Sequence, residues 1–527
     1  MEREDFRTKK FLYSKRFYLP LLIFCAVLIF SPVAAANEDV QVQQVETEEV
    51  RKLLKQADKL TKKGNLIEAE TLLRRGLEQN LENTKIKLGL AVVLMKQRRL
   101  FEAYTFAVEV AKLEPQNSDA FAVLGMTLLN AGNFKDAELS LNNSLIINKK
   151  NAMAWAGLGM LDFYENRINQ SLENMRIAVY LDSNEPDFVF ALAQISARAE
   201  RYRESAAAYR EFLRISPRSD TDRRERIKGL IQFLEFLGGK SSLYEIGGKR
   251  QTRVVFKLIK DRPVIQLRVN KKDAPLNFVL DTGSGISVIS QKTAEKLDIS
   301  PIARGGTAKG FGGDGKFEIV YGFLKQVEIG DVSIKNVPVY IRPFHSINED
   351  IDGYIGLSLI SKFLTTIDYG DTSFTLLKKD SPREQINESE GLALPLRLTS
   401  GGFLSGEVQI EGIENSFNFI VDTGASLSVI SDDLAGMTEL SSFLMTEKIR
   451  VIGAAGETEA MPVFILPRVT FGNESRRAVV AIALDLDMIN ESSGFEQAGI
   501  LGGNFLRNYR LTFDFQNSKV LFVPIKK

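Results

Sequence analysis

The chain has 527 residues, is 44% hydrophobic and 26% charged, and so has material for about three or four globular domains. With 68 Lys and Arg against 67 Asp and Glu, its formal net charge of +1 gives no electrostatic case for nucleic acid or an anionic membrane surface as the main partner. One histidine, His345, and one cysteine, Cys25, exclude Cys/His zinc sites, cysteine-held iron–sulfur clusters and an internal disulfide. No metal or other cofactor is therefore expected, and hydrolytic chemistry would fall to carboxylates.

Residues 1–36 read as a secretory signal. Lys9, Lys10, Lys15 and Arg16 form a basic start, and Phe17 to Phe30 is apolar apart from Tyr18 and Pro20. Ser31 to Ala36 supplies the small residues at which a signal peptidase cuts, with cleavage after Ala36. The expectation is export, to a bacterial periplasm or cell envelope. The alternative is a retained anchor, because residues 17–36 are just long enough to span a bilayer; only then is the membrane a partner. Cys25 lies inside the apolar run and reads as a small hydrophobe. Residues 37–49 form a linker.

From residue 50 a period appears. Ala69, Ala103, Ala137, Ser171 and Ser205 recur every 34 residues, and Ala57, Ala91, Gly125, Gly159 and Ala193 stand twelve residues before them. Small residues in two registers let paired antiparallel helices approach closely, with Gly132-Asn133-Phe134 as a turn between helices and Pro115 and Pro217 ending units. The pattern resembles the tetratricopeptide repeat, whose period is 34. It predicts five units (50–83, 84–117, 118–151, 152–185 and 186–219) and a capping helix from Arg223 to Leu237, together residues 50–240. Such repeats stack into a solenoid that commonly holds a peptide or protein partner.

Gly238-Gly239-Lys240-Ser241-Ser242 ends the helical pattern, and short alternating strands follow, such as Arg253–Phe256 and Val264–Leu267. The C-terminal half then contains one module twice. Asn277 to Ser284 reads NFVLDTGS and leads to Ser287-Val288-Ile289-Ser290. Asn418 to Ala425 reads NFIVDTGA and leads to Ser428-Val429-Ile430-Ser431, with the same offset of 141 residues throughout. A hydrophobic-hydrophobic-Gly segment follows each copy, Tyr354-Ile355-Gly356 and Ile500-Leu501-Gly502. Matching tails come next, Phe363–Tyr369 and Tyr509–Phe515. The lobes are set at 251–380 and 393–527, with 381–392 as the connection.

Over about residues 251–525 these motifs resemble the retroviral-type aspartic proteases, here as two tandem lobes. The fold class implied is an all-α repeat solenoid followed by an all-β bilobed protease. The resemblance implies a catalytic pair, Asp281 and Asp422, supplied by one chain. Two carboxyl groups in hydrogen-bonding reach share one proton; the ionised one activates a water and the protonated one donates to the peptide carbonyl. Thr282 and Thr423 are implied to cross-link the two loops, while Gly283 and Gly424 let the backbone turn against the carboxylates. Ser284 can add a hydrogen bond to its aspartate, and Ala425 cannot. Gly356 and Gly502 are implied as glycines of the lobe cores.

Two glycine-rich segments stand where the family places substrate-covering hairpins: Gly310, Phe311 and Gly312 in the first lobe, Gly453 and Ala454 in the second. The first fits G-x-G-x-x-G but leads into strand-like Lys316–Tyr321, so a nucleotide loop fails on context. His345 reads as a surface or structural residue and Asn348–Gly353 as a solvated connection. The function implied is an exported endopeptidase acting on a peptide or protein substrate, with a repeat arm for a protein partner. The alternatives are a catalytically silent binding protein, and a homodimer that pairs equivalent lobes of two chains.

Overall fold

The computed structural model describes residues 48–525, apart from 273, 314, 345–349 and 381–390. The signal or anchor segment and His345 lie outside the described residues. Among those described, no helix is long and apolar enough to cross a membrane.

Eleven helices run between Glu48 and Gly238, and the 34-residue period is their cause. The small residues at the two registers are buried, from Ala57 and Ala69 to Ala193 and Ser205. Where the later units carry serine, the hydroxyl ties the pair together: Ser171 Oγ donates to Gly159 O at 2.7 Å and Ser205 Oγ to Ala193 O at 2.7 Å. A second period sets where helices begin. Asn83, Asn117 and Asn151, again 34 apart, accept from the backbone N–H three residues on, satisfying a donor that a helix start leaves unpaired.

The turn within each unit is a third periodic feature. Gly64, Arg98, Gly132, Asn166 and Glu200 all have φ between 59° and 80°. Four of these turns form an edge that docks on the β half. Arg98 pairs with Glu496 at 2.5 Å, Asn418 Nδ2 donates to Gly132 O, Asn166 Nδ2 donates to Phe515 O, and Glu200 pairs with Lys362. Phe495 is fully buried between the rings of Phe134 and Tyr164, with centroids 5.0 and 4.9 Å away. The helix Thr221–Gly238 docks on the first lobe, where Phe233 stacks on Tyr321 at 4.7 Å. The solenoid also closes on itself. Ser219 Oγ donates to Lys63 O, and Lys96 reaches Glu185 and Asp187, the latter paired in turn with Arg223.

The β half is two lobes and a shared sheet. The first-lobe sheet begins with Glu245–Gly248, which pairs with Val332–Lys335. In both lobes the strand before the Asp-Thr-Gly loop lies parallel to the hydrophobic-Gly strand, Ile355 beside Leu280 and Leu501 beside Val421. The two matching tails pair antiparallel with each other, Thr366 opposite Thr512 with their hydroxyls 3.0 Å apart. They form the centre of a six-stranded sheet to which both lobes contribute. One continuous apolar core runs through this sheet into both lobes, including Phe363, Phe374, Tyr509 and Phe513.

Asp352, read as part of a solvated connection, is a structural clamp: its carboxylate accepts from Asn277 N at 2.9 Å and from Thr293 Oγ1 at 2.7 Å.

Truncating the Phe495 wedge to alanine should cost about 3–5 kcal/mol at the arm–lobe contact. Limited proteolysis should then cut the 239–243 connection faster than in the wild type while both halves stay resistant; unchanged cutting would place the holding energy elsewhere.

Candidate active site

The strands Leu276–Leu280 and Phe417–Val421 are buried along nearly their whole length, so each delivers the aspartate that follows it to the centre of the molecule. There the strand ends meet head to head, and the threonines lock them. Thr282 N–H donates to Thr423 Oγ1 and Thr423 N–H to Thr282 Oγ1, both at 3.1 Å. The hydroxyls then donate outward across the lobes, Thr282 Oγ1 to Val421 O at 2.6 Å and Thr423 Oγ1 to Leu280 O at 2.7 Å. Both threonines are fully buried. Two reciprocal hydrogen bonds thus join threonines 141 residues apart, and two more tie each hydroxyl to the strand of the opposite lobe.

This lock brings Asp281 and Asp422 into side-chain hydrogen-bonding contact. Asp281 and Asp422 are each half-buried. Gly283 and Gly424 are required by proximity, because a Cβ on Gly283 would lie 2.3 Å from Asp422 Cγ and one on Gly424 2.6 Å from Asp281 Oδ1. Burial raises the pKa of Asp281 well above the carboxylate range, and the adjacent charge of Asp422 raises it further. Burial also raises Asp422, but hydrogen bonds oppose the rise.

The backbone donors are unequally shared. Asp422 Oδ1 accepts from Gly424 N at 2.7 Å and Ala425 N at 3.1 Å, and the Gly283 N–H reaches Asp422 as well. Asp281 Oδ1 accepts from Gly283 N at 3.0 Å. The expected hydrogen bond from Ser284 to its aspartate is not made, since Ser284 Oγ donates to Ile286 O at 2.7 Å. The serine closes its own turn. The extra donor therefore sits on the alanine side, through the backbone.

Gly356 and Gly502 stand directly behind the loops. Their N–H groups donate to Ser287 Oγ at 3.1 Å and Ser428 Oγ at 3.2 Å. Asp281 N and Asp422 N donate to Ile355 O and Leu501 O. Ser287 and Ser428 are visible in the duplicated motif. Their role, however, depends on strand pairing with partners 69 and 74 residues away.

The two glycine-rich segments touch. Gly313 N donates to Glu457 O at 3.0 Å and Ala455 N to Phe311 O at 2.9 Å. Gly312 has φ +83°, and a Cβ there would overlap the Gly456 carbonyl. Gly310 faces Ala454, and Gly453 faces Phe311. Arg342, absent from the sequence reading, donates Nη1 to Ala454 O at 3.0 Å and lies close enough to Asp281 for its charge to lower that pKa. The arm reaches the site too. Arg198 holds Thr399 O at 2.8 Å and Ser400 O at 3.2 Å, and the turn that follows these carbonyls packs its Gly401 against Gly285.

Residues 265–359 and 406–505 match the aspartyl protease family model, and residues 156–220 match a tetratricopeptide repeat model. Among solved structures, a thermophilic TPR protein of Thermus thermophilus shares 20% identity over 33% of this chain and 94% of its own, with a TM-score of 0.29. PilF of Pseudomonas aeruginosa shares 16% over 32% of this chain and 77% of its own, TM-score 0.26. MamA from Desulfovibrio magneticus RS-1 shares 19% over 32% and 96%, TM-score 0.24. No curated protein sequence matches the chain.

Thr423→Val keeps the shape and leaves Leu280 O and Thr282 N without partners, at about 1–3 kcal/mol for each buried group. Its denaturation midpoint should fall well below that of Thr423→Ser, which keeps the hydroxyl; equal midpoints would mean the lock carries no stability. The acid pair also sets a pH dependence. Because burial raises both pKa values, the folded protein holds more protons than the unfolded chain above about pH 4, so stability falls as pH rises through the raised values. Asp281→Asn should therefore gain stability relative to the wild type across that window. A constant difference from acid to neutral pH would contradict the raised pair.

Proposed function

Starting from a β half that is a tandem retropepsin-like aspartyl protease module and an arm of tetratricopeptide repeats, we propose that the protein is an exported endopeptidase using Asp281 and Asp422. The observation that carries this reading is the pair of carboxyl groups in hydrogen-bonding contact on mirrored, cross-locked loops, in a molecule whose two glycine-rich tips touch each other.

In this mechanism the pair holds one proton, on Asp281, and the charge rests on Asp422, whose larger share of N–H donors stabilises an anion. Asp422 takes a proton from a water whose oxygen attacks the peptide carbonyl carbon. Asp281 gives its proton to the carbonyl oxygen, so no full oxyanion forms. Collapse of the resulting diol breaks the C–N bond, with a proton passing from Asp422 to the leaving nitrogen and one returning from the diol to Asp281. The tip-to-tip bonds of Gly313 with Glu457 and Ala455 with Phe311 must open to admit a polypeptide, for which the glycines at 312, 313 and 456 suit the segments.

The shared central sheet supports pairing of the two lobes of one chain over a homodimer of equivalent lobes, and the short connection keeps the partner lobe at high effective concentration. The arm serves a protein partner in this reading. Its turn edge is committed to the lobes, and Lys96 of the second unit reaches Glu185 and Asp187, the latter tied in turn to Arg223 of the capping helix. The exposed side chains of Ile67, Leu139, Ile146 and Tyr180, each on the second helix of its repeat, are among the apolar contacts it offers. The basic-apolar-small pattern of residues 1–36 supports action outside the cytoplasm.

The test is cleavage of a mixed peptide library from acidic to neutral pH by wild type, Asp281→Asn and Asp422→Asn, with and without a statine-type inhibitor. Each substitution should lower turnover by at least about 100-fold, and the inhibitor should block the wild type. A folded wild type that cleaves nothing favours the silent binding protein, and activity retained in both variants overturns the shared pair.

A further inference from the structure

The lobes are copies, so equivalent positions can be matched through strand register. Val288–Ser290 runs parallel to Val332–Arg342 with Ser290 beside Arg342. In the second lobe Ser428–Ser431 runs parallel to Glu474–Leu484 with Ser431 beside Leu484. Ser290 and Ser431 hold the same place in the duplicated motif, which makes Arg342 and Leu484 structural counterparts. Leu484 is buried in an apolar cluster with Val429, Ile482 and Ile500, against which Phe403 and Ala425 pack. The fold therefore accepts a plain hydrophobe at this position, and the first lobe carries a cation there instead.

Enclosing a guanidinium is unfavourable unless its charge and donors are met. Among the described residues no carboxylate forms an ion pair with Arg342. One donor goes to Ala454 O of the opposite tip, and the plane lies over Phe317, Phe344 and Tyr354 at 5.6, 5.1 and 5.7 Å from their centroids. Aromatic faces orient a cation, and among the described residues the five N–H donors of this guanidinium meet no protein acceptor besides Ala454 O. Burial lowers the Arg342 pKa, the direction of a cation incompletely compensated, with Asp281 opposing the fall. The group thus sits between a covering tip and the acid pair, on the Asp281 side of the cleft. On the Asp422 side the corresponding wall is apolar.

Resting on the proteolytic reading above, we propose that Arg342 recognises an acidic side chain of the substrate on one side of the cut bond, while the Leu484 wall, with Phe403 and Ala425, receives an apolar side chain on the other. A planar guanidinium meets a carboxylate through two parallel hydrogen bonds, which fits a Glu or Asp side chain better than an amide. Arg342 is a specificity residue in this scheme and takes no part in the proton transfers.

The test uses peptides built on a cut site from the library, identical except for Glu or Gln at each position within two residues of the bond. Wild type should favour Glu at one position by about tenfold or more in kcat/KM. Arg342→Leu, which installs the twin lobe's own residue, should bring the ratio near unity, and Arg342→Lys should keep part of it. Equal cleavage of Glu and Gln peptides by wild type at every position overturns the inference and leaves the protease reading intact. So does a preference that survives in a folded Arg342→Leu protein. Should the wild type cleave no peptide, fluorescein-labelled Glu and Gln libraries are titrated against Asp422→Asn with and without Arg342→Leu. Tighter binding of the Glu library that Arg342→Leu removes supports the proposal, and equal binding overturns it.

Discussion

Two carboxyl groups cannot be held in contact inside a protein without something that opposes their separation. In this molecule that role falls to the Thr282–Thr423 lock, because each threonine is both donor and acceptor across the lobe boundary. A single hydroxyl thereby satisfies a buried N–H of the other loop and a buried carbonyl beyond it, and breaking one bond strands another. The remaining features of the site depend on it. The glycines at 283 and 424 have their tight geometry only because the opposite carboxylate is so close. The central sheet of paired tails, Phe363–Asp368 with Tyr509–Asp514, holds the lobes at the separation the lock needs. The arm adds a further restraint through Arg198, whose burial brings its pKa down to about 9 and whose donors hold the turn that packs Gly401 against Gly285.

Duplication made two lobes of one design, and the differences between them are where chemistry enters. Ser284 and Ala425 differ, but the serine satisfies its own turn, so the asymmetry of the acid pair arises in the backbone N–H groups around Asp422. Arg342 and Leu484 differ more, a cation against a hydrophobe at one register position. A homodimer of identical lobes would have to make both differences vanish. A single chain with two copies is free to let one half hold charge and the other exclude water, and each half retains the framework that the other needs.

Much of this architecture was legible in the sequence because its causes are local or periodic. Small residues at 34-residue spacing dictate close helix pairs, and an Asp-Thr-Gly tripeptide inside matched apolar strands dictates two equivalent loops. The partnership of Phe363–Tyr369 with Tyr509–Phe515 was half visible, as similarity without the knowledge that similar segments pair. Other features were hidden for physical reasons. Arg98, Asn166 and Glu200 adopt left-handed turns with no glycine to announce them, and their use as a docking edge exists only once the β half is present. Phe495 looks like any apolar residue until Phe134 and Tyr164 enclose it. Asp352 looked like one more charge in an acidic loop, because its partners, Asn277 and Thr293, lie 75 and 59 residues earlier. Arg342 escaped because the offset between lobes drifts from 141 at the loops to 142 at Leu484 and 146 at the hydrophobic-Gly strands, so only sheet register reveals its twin.

The interleaving of the tails bears on the order in which the molecule comes into being. The helical arm is built from neighbours in sequence, so it can fold as it is synthesised. The first lobe can acquire its own sheet soon after. Yet its loop remains half a site until the second loop arrives 141 residues later. The strand that clasps it, Tyr509–Asp514, emerges later still. A growing chain therefore carries a folded arm before it carries the assembled acid pair. The two loops meet only when almost the whole β half has been made.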